Sequence, residues 1–259
     1  MILTIHVGNR TIWLGGYDGQ DCAVSTSIGA DPYATCDQYA ATIRSVLAFR
    51  QADTDAIDGA VISSVVPALT RTMQNAARQL TNGKVLTVGA GMKTGLNLRL
   101  DNTVTVGSDF ICNAVAALGE FKPPLAVISM TDVTTFTAID AQGVMIGRSI
   151  LPGVESALEH LCESSAQLPD VSFDLHADLI GRSTADAIKA GALHGAISMI
   201  EGMLERYIQS LGTHTTAVAT GELAKVLVPL CRQEIHYRPQ LLHDGLRMLY
   251  QKNKAFPEI

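Results

Sequence analysis

The sequence predicts an α/β protein built twice over, with a first half at residues 1–120 and a second at 121–259. Three observations carry that expectation. Each half opens with three extended, β-branched stretches joined by tight turns. Each then alternates helix with strand. No linker rich in Pro, Gly or Ser separates the two.

In the first half, residues 2–7 are apolar and β-branched, and Gly8-Asn9 marks a turn. Residues 11–15 extend again, Tyr17-Asp18-Gly19 turns, and a third stretch covers 24–28. This is a β-meander. Residues 36–50 have helical spacing, with Ala40, Ile43, Val46 and Leu47 on one face. A continuous apolar strand at 58–65 is closed by Val66-Pro67. A helix at 68–80 and a strand at 85–88 follow, and Asp109 opens a helix that covers 111–118.

The second half repeats the pattern. Strands are expected at 125–130, 134–139 and 144–150, with turns at Thr131-Asp132 and between Asp140 and Gly143. A helix at 154–164 follows. The longest helix starts at Ser183-Thr184 and runs to about Leu211, with Ile188, Ala192, Ala196, Ile200, Leu204 and Ile208 spaced by four. Ser183 and Asp186 have the spacing of a capping box. A strand at 216–220, a helix at 222–230 and a helix at 240–252 complete the chain.

Composition excludes several classes. The chain has 19 Lys+Arg against 25 Asp+Glu, a net charge of -6, so bulk charge does not hold it to nucleic acid or an anionic membrane. Charged residues make up only 17%, which fits a surface partly covered by another subunit. Mean hydropathy is +0.21, yet no apolar run approaches the ~18 residues of a membrane span. Residues 1–16 lack the basic-then-apolar pattern of a signal peptide, so a cytoplasmic location is expected. Cys22, Cys36, Cys112, Cys162 and Cys231 never stand in a C-x-x-C spacing. They are expected to be buried thiols, neither a disulfide frame nor a zinc site.

The turns are the first candidates for chemistry, because a duplicated fold of this kind sets two hairpin turns opposite each other across a cleft. Backbone N–H groups in such turns hold phosphates. Gly8-Asn9 suits the first turn, since both residues tolerate a positive φ, as in ordinary hairpins. His6 reads as a satisfied histidine near a strand end, Arg10 as a solvated turn residue, and Asp109 as a helix cap. His194, His236 and His243 show no metal-ligand spacing. Gly191 and Gly195 lie one turn apart on the long helix, fit for a tight contact within the chain or for a close subunit contact.

Several segments together resemble the type III pantothenate kinases of bacterial coenzyme A synthesis. They are His6-Val7-Gly8-Asn9, Val61-Ile62-Ser63-Ser64-Val65-Val66-Pro67, Lys93-Thr94-Gly95-Leu96-Asn97, Val106-Gly107-Ser108-Asp109, Asn113-Ala114-Val115-Ala116-Ala117, Thr134-Thr135-Phe136, Pro152-Gly153 and Ala219-Thr220-Gly221. The likeness runs over essentially the whole chain. It implies a duplicated actin-like (ribonuclease H-like) fold, shared with acetate and sugar kinases, heat-shock chaperones and actin. It also implies a dimer with the pantothenate pocket at the subunit interface, and the use of ATP, Mg²⁺ and K⁺ to phosphorylate pantothenate.

By that resemblance Asp109 is the base for the pantothenate hydroxyl. Gly8, Asn9, Arg10, Asp132 and Thr134 fall in the nucleotide site, and Gly107, Ser108, Phe110 and Thr184 on the substrate side. The family pattern has two further acids, one ending the first strand of each half. Here those positions hold His6 and Ser129. The hydroxyl expected after Asn9 is Arg10, and the Gly-Thr of the second phosphate turn is Thr131-Asp132. An Arg after the base is Phe110, and a Tyr after Arg99 is Leu100. Neutral histidine is a poor Mg²⁺ ligand and protonated histidine repels it, so no metal ligand is assigned.

The departures cluster at the site while the scaffold segments are intact. Three readings follow. One is a pseudokinase that forms a homodimer or joins an intact relative and completes its pocket. The second is a working kinase that relies on Asp109 and an altered metal site. The third is a regulatory protein that senses nucleotide or coenzyme A.

Overall fold

The computed structural model describes residues 1–102 and 106–255. Eleven strands and seven α-helices are assigned among them, in two units. The first unit holds Met1–Leu96, Asp101–Gly119 and Gln240–Ile259, and the second Asn97–Leu100 and Glu120–Pro239.

The first unit is built on a five-stranded sheet of order β3-β2-β1-β4-β5. β1 (Ile2–Val7), β2 (Thr11–Asp18) and β3 (Asp21–Gly29) form the antiparallel meander; β4 (Gly59–Ser64) and β5 (Lys84–Thr87) add on parallel to β1. Gly19, at φ +63°, makes the β2–β3 turn in a region that costs other residues energy. Leu3, Ile5 and Val7 are fully buried in one cluster with Ile43 and Leu47 of α1 (Cys36–Phe49) and Leu69 and Met73 of α2 (Pro67–Leu80). Each such side chain contributes about 1.5–3 kcal/mol by leaving water. A full capping box starts α1, with Thr35 accepting from Gln38 N–H and the Gln38 side chain accepting from Thr35 N–H. Pro67 starts α2, where its missing N–H costs nothing.

Alternation along β1 turns Thr4 and His6 to the opposite face, and both are buried. α7 (Leu241–Asn253) packs against β1 and β4. It is tied down by His243 Nδ1 to Thr4 Oγ1 at 2.8 Å and by Tyr17 O–H donating to Asp244 Oδ1 at 2.8 Å. Gly245 lies so close to the Cys112 carbonyl of α3 (Ser108–Glu120) that no side chain fits there. The last helix therefore groups with the first unit, whereas the sequence placed it in the half at 121–259.

The second unit repeats the plan. Its sheet runs β11-β10-β7-β8-β9-β6. β7 (Leu125–Met130), β8 (Val133–Ile139) and β9 (Val144–Pro152) form the meander, and β10 (Thr216–Thr220) lies parallel to β7. The order β9-β8-β7-β10-β11 matches β3-β2-β1-β4-β5 strand for strand, so the duplication read from the two meanders is present. β6 (Asn97–Leu98) and β11 (His236–Tyr237) are short strands that the sequence did not announce.

α4 (Val154–Glu163) and α5 (Thr184–Leu211) follow β9. Ser183 caps α5 by accepting from Asp186 N–H at 3.1 Å, as its spacing predicted. Ile200 and Leu204 of α5 bury against Ile128, Phe136 and Ala219. Glu201 accepts from the guanidinium and backbone N–H of Arg232, which holds its carboxyl below the usual range and pins the segment after β10 to the helix. The helix expected over 222–230 ends as α6 (Glu222–Leu227) and tightens into a 3₁₀ turn, because Pro229 has no N–H to continue it. All five cysteines are free, but only Cys112 is buried; the others are half-buried, contrary to the expectation for the set.

Candidate active site

In the first unit, β1, β4 and the start of α3 bring three sequence-selected segments together. Parallel pairing sets His6 beside Ser63. His6 Nδ1 lies 3.2 Å from Ser63 Oγ, and Ser63 Oγ lies 2.8 Å from Ser108 Oγ. Ser108 also accepts from Ser64 N–H at 3.1 Å and donates to Ser64 O at 3.2 Å. This hydroxyl chain stitches the first residue of α3 to the end of β4. His6 is 8% exposed, and burial pushes its pKa down to about 4, so the imidazole is neutral at pH 7. It is the satisfied strand-end histidine expected from its setting.

Asp109 follows Ser108 in the first turn of α3, half-buried. A side chain at Gly107 would meet the Asp109 carboxylate and the Phe110 ring, so glycine there gives that carboxylate its place. Gly107, Ser108, Asp109 and Phe110 are thus contiguous in space as in sequence. One helical turn on, Asn113 is 4% exposed and its Oδ1 has no hydrogen-bond partner among the described residues. Its spacing of four from Asp109 puts both on one helix face. The i, i+4 spacing is readable in the sequence, where Asn113 belongs to a segment that carries the resemblance but is not among the site residues named from it.

The β1–β2 turn is closed by Gly8 N–H donating to Thr11 O at 3.0 Å. Asn9 and Arg10 are exposed at its tip, and Arg10 O accepts from Ala30 N–H at 2.9 Å.

In the second unit, the β7–β8 turn holds Thr131 and Asp132, with Thr131 N–H donating to Val133 O at 3.1 Å. Gly153 packs on the carbonyls of Thr131 and Asp132. Gly221, at φ +101°, packs on the backbone of Met130. Both glycines are forced by close backbone approach, which explains the Pro152-Gly153 and Ala219-Thr220-Gly221 segments. Ser129 is buried at the end of β7, paired with Thr135 and Thr220. Thr134 is buried too, with an Oγ1 that has no partner among the described residues. An orphaned buried hydroxyl costs about 1–3 kcal/mol.

Thr184 sits elsewhere in this unit, exposed at the start of α5, on a cavity of about 560 Å³. The walls are otherwise apolar, from Leu151, Val154, Leu158, Leu161, Ile188 and Met199 among others. A Cβ built on Gly191 or Gly195 meets nothing within 4 Å. Gly191 and Gly195 therefore make no tight contact among the described residues. His194 Nε2 donates to Ala177 O at 3.0 Å and His236 stacks on Phe121, so both histidines have structural roles.

Mg²⁺ seeks charged oxygen ligands. At the end of β1 the structure offers a neutral imidazole and serine hydroxyls that bond to one another; at the end of β7 it offers the buried hydroxyl of Ser129. Among the described residues no three His, Cys, Asp or Glu side chains gather as a metal-binding group. Of the three acids that the resemblance describes only Asp109 is present, so the donor set falls short of that divalent-metal site.

Two units with the same strand order, each carrying a tight turn after its first strand, define the duplicated actin-like fold class. A ROK family glucokinase from Streptomyces griseus, solved with glucose and AMPPNP, shares the fold with a TM-score of 0.55 at 11% identity, over 96% of this chain and 99% of that one. The ethanolamine utilization protein EutJ from Carboxydothermus hydrogenoformans does so with a TM-score of 0.57 at 12% identity, over 95% and 89%. Within that class the chain belongs to the type III pantothenate kinase family, whose family model matches residues 2–206. A type III pantothenate kinase of Exiguobacterium sibiricum is 35% identical over 254 residues, covering 98% of this chain and 100% of the relative. One from Listeria monocytogenes is 34% identical over 258 residues and covers all of both chains. Among the described residues no helix is long and apolar enough to cross a membrane.

Proposed function

We propose that this chain is a type III pantothenate kinase-like subunit of coenzyme A synthesis whose own phosphoryl transfer is impaired, and that it completes the substrate pocket of an intact relative. The reaction at issue is ATP plus pantothenate to 4'-phosphopantothenate. The observation that carries the reading is His6: buried, neutral and committed through Nδ1 to Ser63, it leaves the end of β1 without a carboxylate. Phosphoryl transfer is mostly positioning and charge neutralisation, so that loss falls on the rate. Gly8, Asn9, Arg10, Asp132 and Thr134 remain as nucleotide contacts, and Gly107, Ser108, Phe110 and Thr184 as the pantothenate side. The partner is an intact type III kinase of the same organism, or a second copy, in the cytoplasm.

Mixing tests this. The chain combined with an intact relative should exceed the activity of either alone, and Asp109→Asn in this chain should leave the mixture unchanged. If Asp109→Asn abolishes the mixed activity, this chain supplies the base and is a catalytic subunit.

Association is expected through α5. The open face over Gly191 and Gly195, beside the exposed Leu179 and Ile180, suits close approach of another subunit. Gly195→Leu should weaken association by about tenfold or more with no loss of thermal stability, read by light scattering and a melting scan. Unchanged association would remove α5 from the interface.

A second reading is favoured by Asp109, which is kept beside Gly107 in a position to take a proton. It makes the chain a working kinase with an altered metal site that also draws on Asp132.

A further inference from the structure

We infer that a second copy of this chain docks on the second unit by reciprocal exchange, Leu179 and Ile180 of each copy entering the apolar cavity of the other. The inference rests on the reading that subunits meet through α5, and it names the partner and the contact. Thr184 lines the same cavity, so the partner copy would help to shape the pocket assigned to the substrate side.

The first ground is a knob held in place. Leu179 and Ile180 are 68% and 81% exposed, the two most exposed large apolar side chains of this unit among the described residues. They stand in the segment between α4 and α5, and that segment is tied to α5 on either side of them. Asp174 pairs with Lys189 at 3.3 Å, and Ala177 O accepts from His194 Nε2 at 3.0 Å. Beyond them, Gly181 lies on the backbone of Asp186 and Ala187. A backbone already ordered lowers the cost of association.

The second is a hole beside the knob. The cavity of about 560 Å³ follows one flank of α5, and another of about 520 Å³ follows the next flank, with Leu179 and Ile180 in its wall. Ala187, Gly191 and Gly195 belong to both, so a low saddle of small residues separates them. A two-fold axis along this saddle, in the plane of contact, sets each knob over the other copy's hole and each saddle on its counterpart.

The third is charge. No Asp, Glu, Lys or Arg lines either cavity. Residues near a two-fold axis face their own counterparts, and like charges there oppose association. A face without charge suits a second copy, whereas a nucleic acid or an acidic peptide finds no counter-charge on it.

The test is the dissociation constant of the full chain for itself, from sedimentation equilibrium over a dilution series, with a melting scan of each variant. Ile180→Asp in the knob and Leu161→Lys in the wall of the hole should each weaken association by about tenfold or more. Both residues are exposed, so the melting point should stay in place. The double change Ile180→Asp with Leu161→Lys should recover part of the loss, because each aspartate then meets a lysine of the other copy. If Leu161→Lys lowers the melting point, Ile180→Asp alone decides. Single variants within about threefold of the unaltered chain, or a double variant no tighter than the weaker single, overturn the inference. If Gly195→Leu breaks the dimer while Ile180→Asp does not, α5 remains the interface and the exchange falls. A chain that is monomeric alone but binds an intact relative keeps the subunit reading and overturns the second copy as partner. A chain that binds neither overturns both.

Discussion

Between about pH 6.5 and pH 4 the first unit should lose several kcal/mol of stability. His6 and His243 are 8% and 6% exposed, and burial pushes their pKa values from 6.5 down to about 4 and about 3. In that window the unfolded chain binds protons that the folded chain refuses, so stability falls as pH falls. It is fully present above the ordinary imidazole value and lost progressively down to the lowered one. Each histidine contributes a slope of up to about 1.4 kcal/mol per pH unit. The whole domain is expected to hold only about 5–15 kcal/mol. Protonation of His243 adds a charge beside Thr4 and works against the docking of α7 on β1. The chain's one tryptophan, Trp13, pairs with His6 in the sheet, so denaturant midpoints can be followed by its fluorescence. His243→Gln should flatten the pH dependence. A midpoint that stays constant from pH 7 to about pH 4.5 would show that neither histidine is buried neutral.

Much of the fold was legible because local pattern and tertiary need agree. β1, β7 and β10 begin and end where their apolar runs do, since each is a central strand buried on both faces. Capped helices announced their starts, as Thr35 and Ser183 show. Where the sequence reading departed from the structure, the cause was not local. α7 follows the second meander in sequence, but His243, Asp244 and Gly245 find their partners on β1, β2 and α3, more than a hundred residues away. Two-residue strands such as β6 and β11 are too short to show any period. Cys22 and Cys36 stand among exposed positions on β3 and at the start of α1, which composition does not reveal.

The candidate site was legible in part. Asp109, Gly107 and the Gly8-Asn9 turn were named from the resemblance, and so was the replacement of an acid by His6. What could not be read was the bonding of His6. Ser63 and Ser108 are 45 residues apart, and only the meeting of β4 with α3 makes them a chain that ends on the imidazole. That bonding turns a missing acid into a strand end whose polar groups satisfy one another.

The most direct measurement is turnover by the purified chain alone, in a coupled assay with pantothenate, ATP, Mg²⁺ and K⁺. Loss of the carboxylate at His6 and the buried neutral hydroxyl at Ser129 remove charge from both strand ends that the resemblance assigns to metal and phosphate. Each kcal/mol of lost transition-state stabilisation slows the reaction about fivefold, so a few kcal/mol are enough to silence it. The expected rate lies at least about a thousandfold below 1 s⁻¹ and does not change in Asp109→Asn. A rate of about 1 s⁻¹ or more that Asp109→Asn abolishes would make the chain a working pantothenate kinase and contradict the proposed role as a complementing subunit.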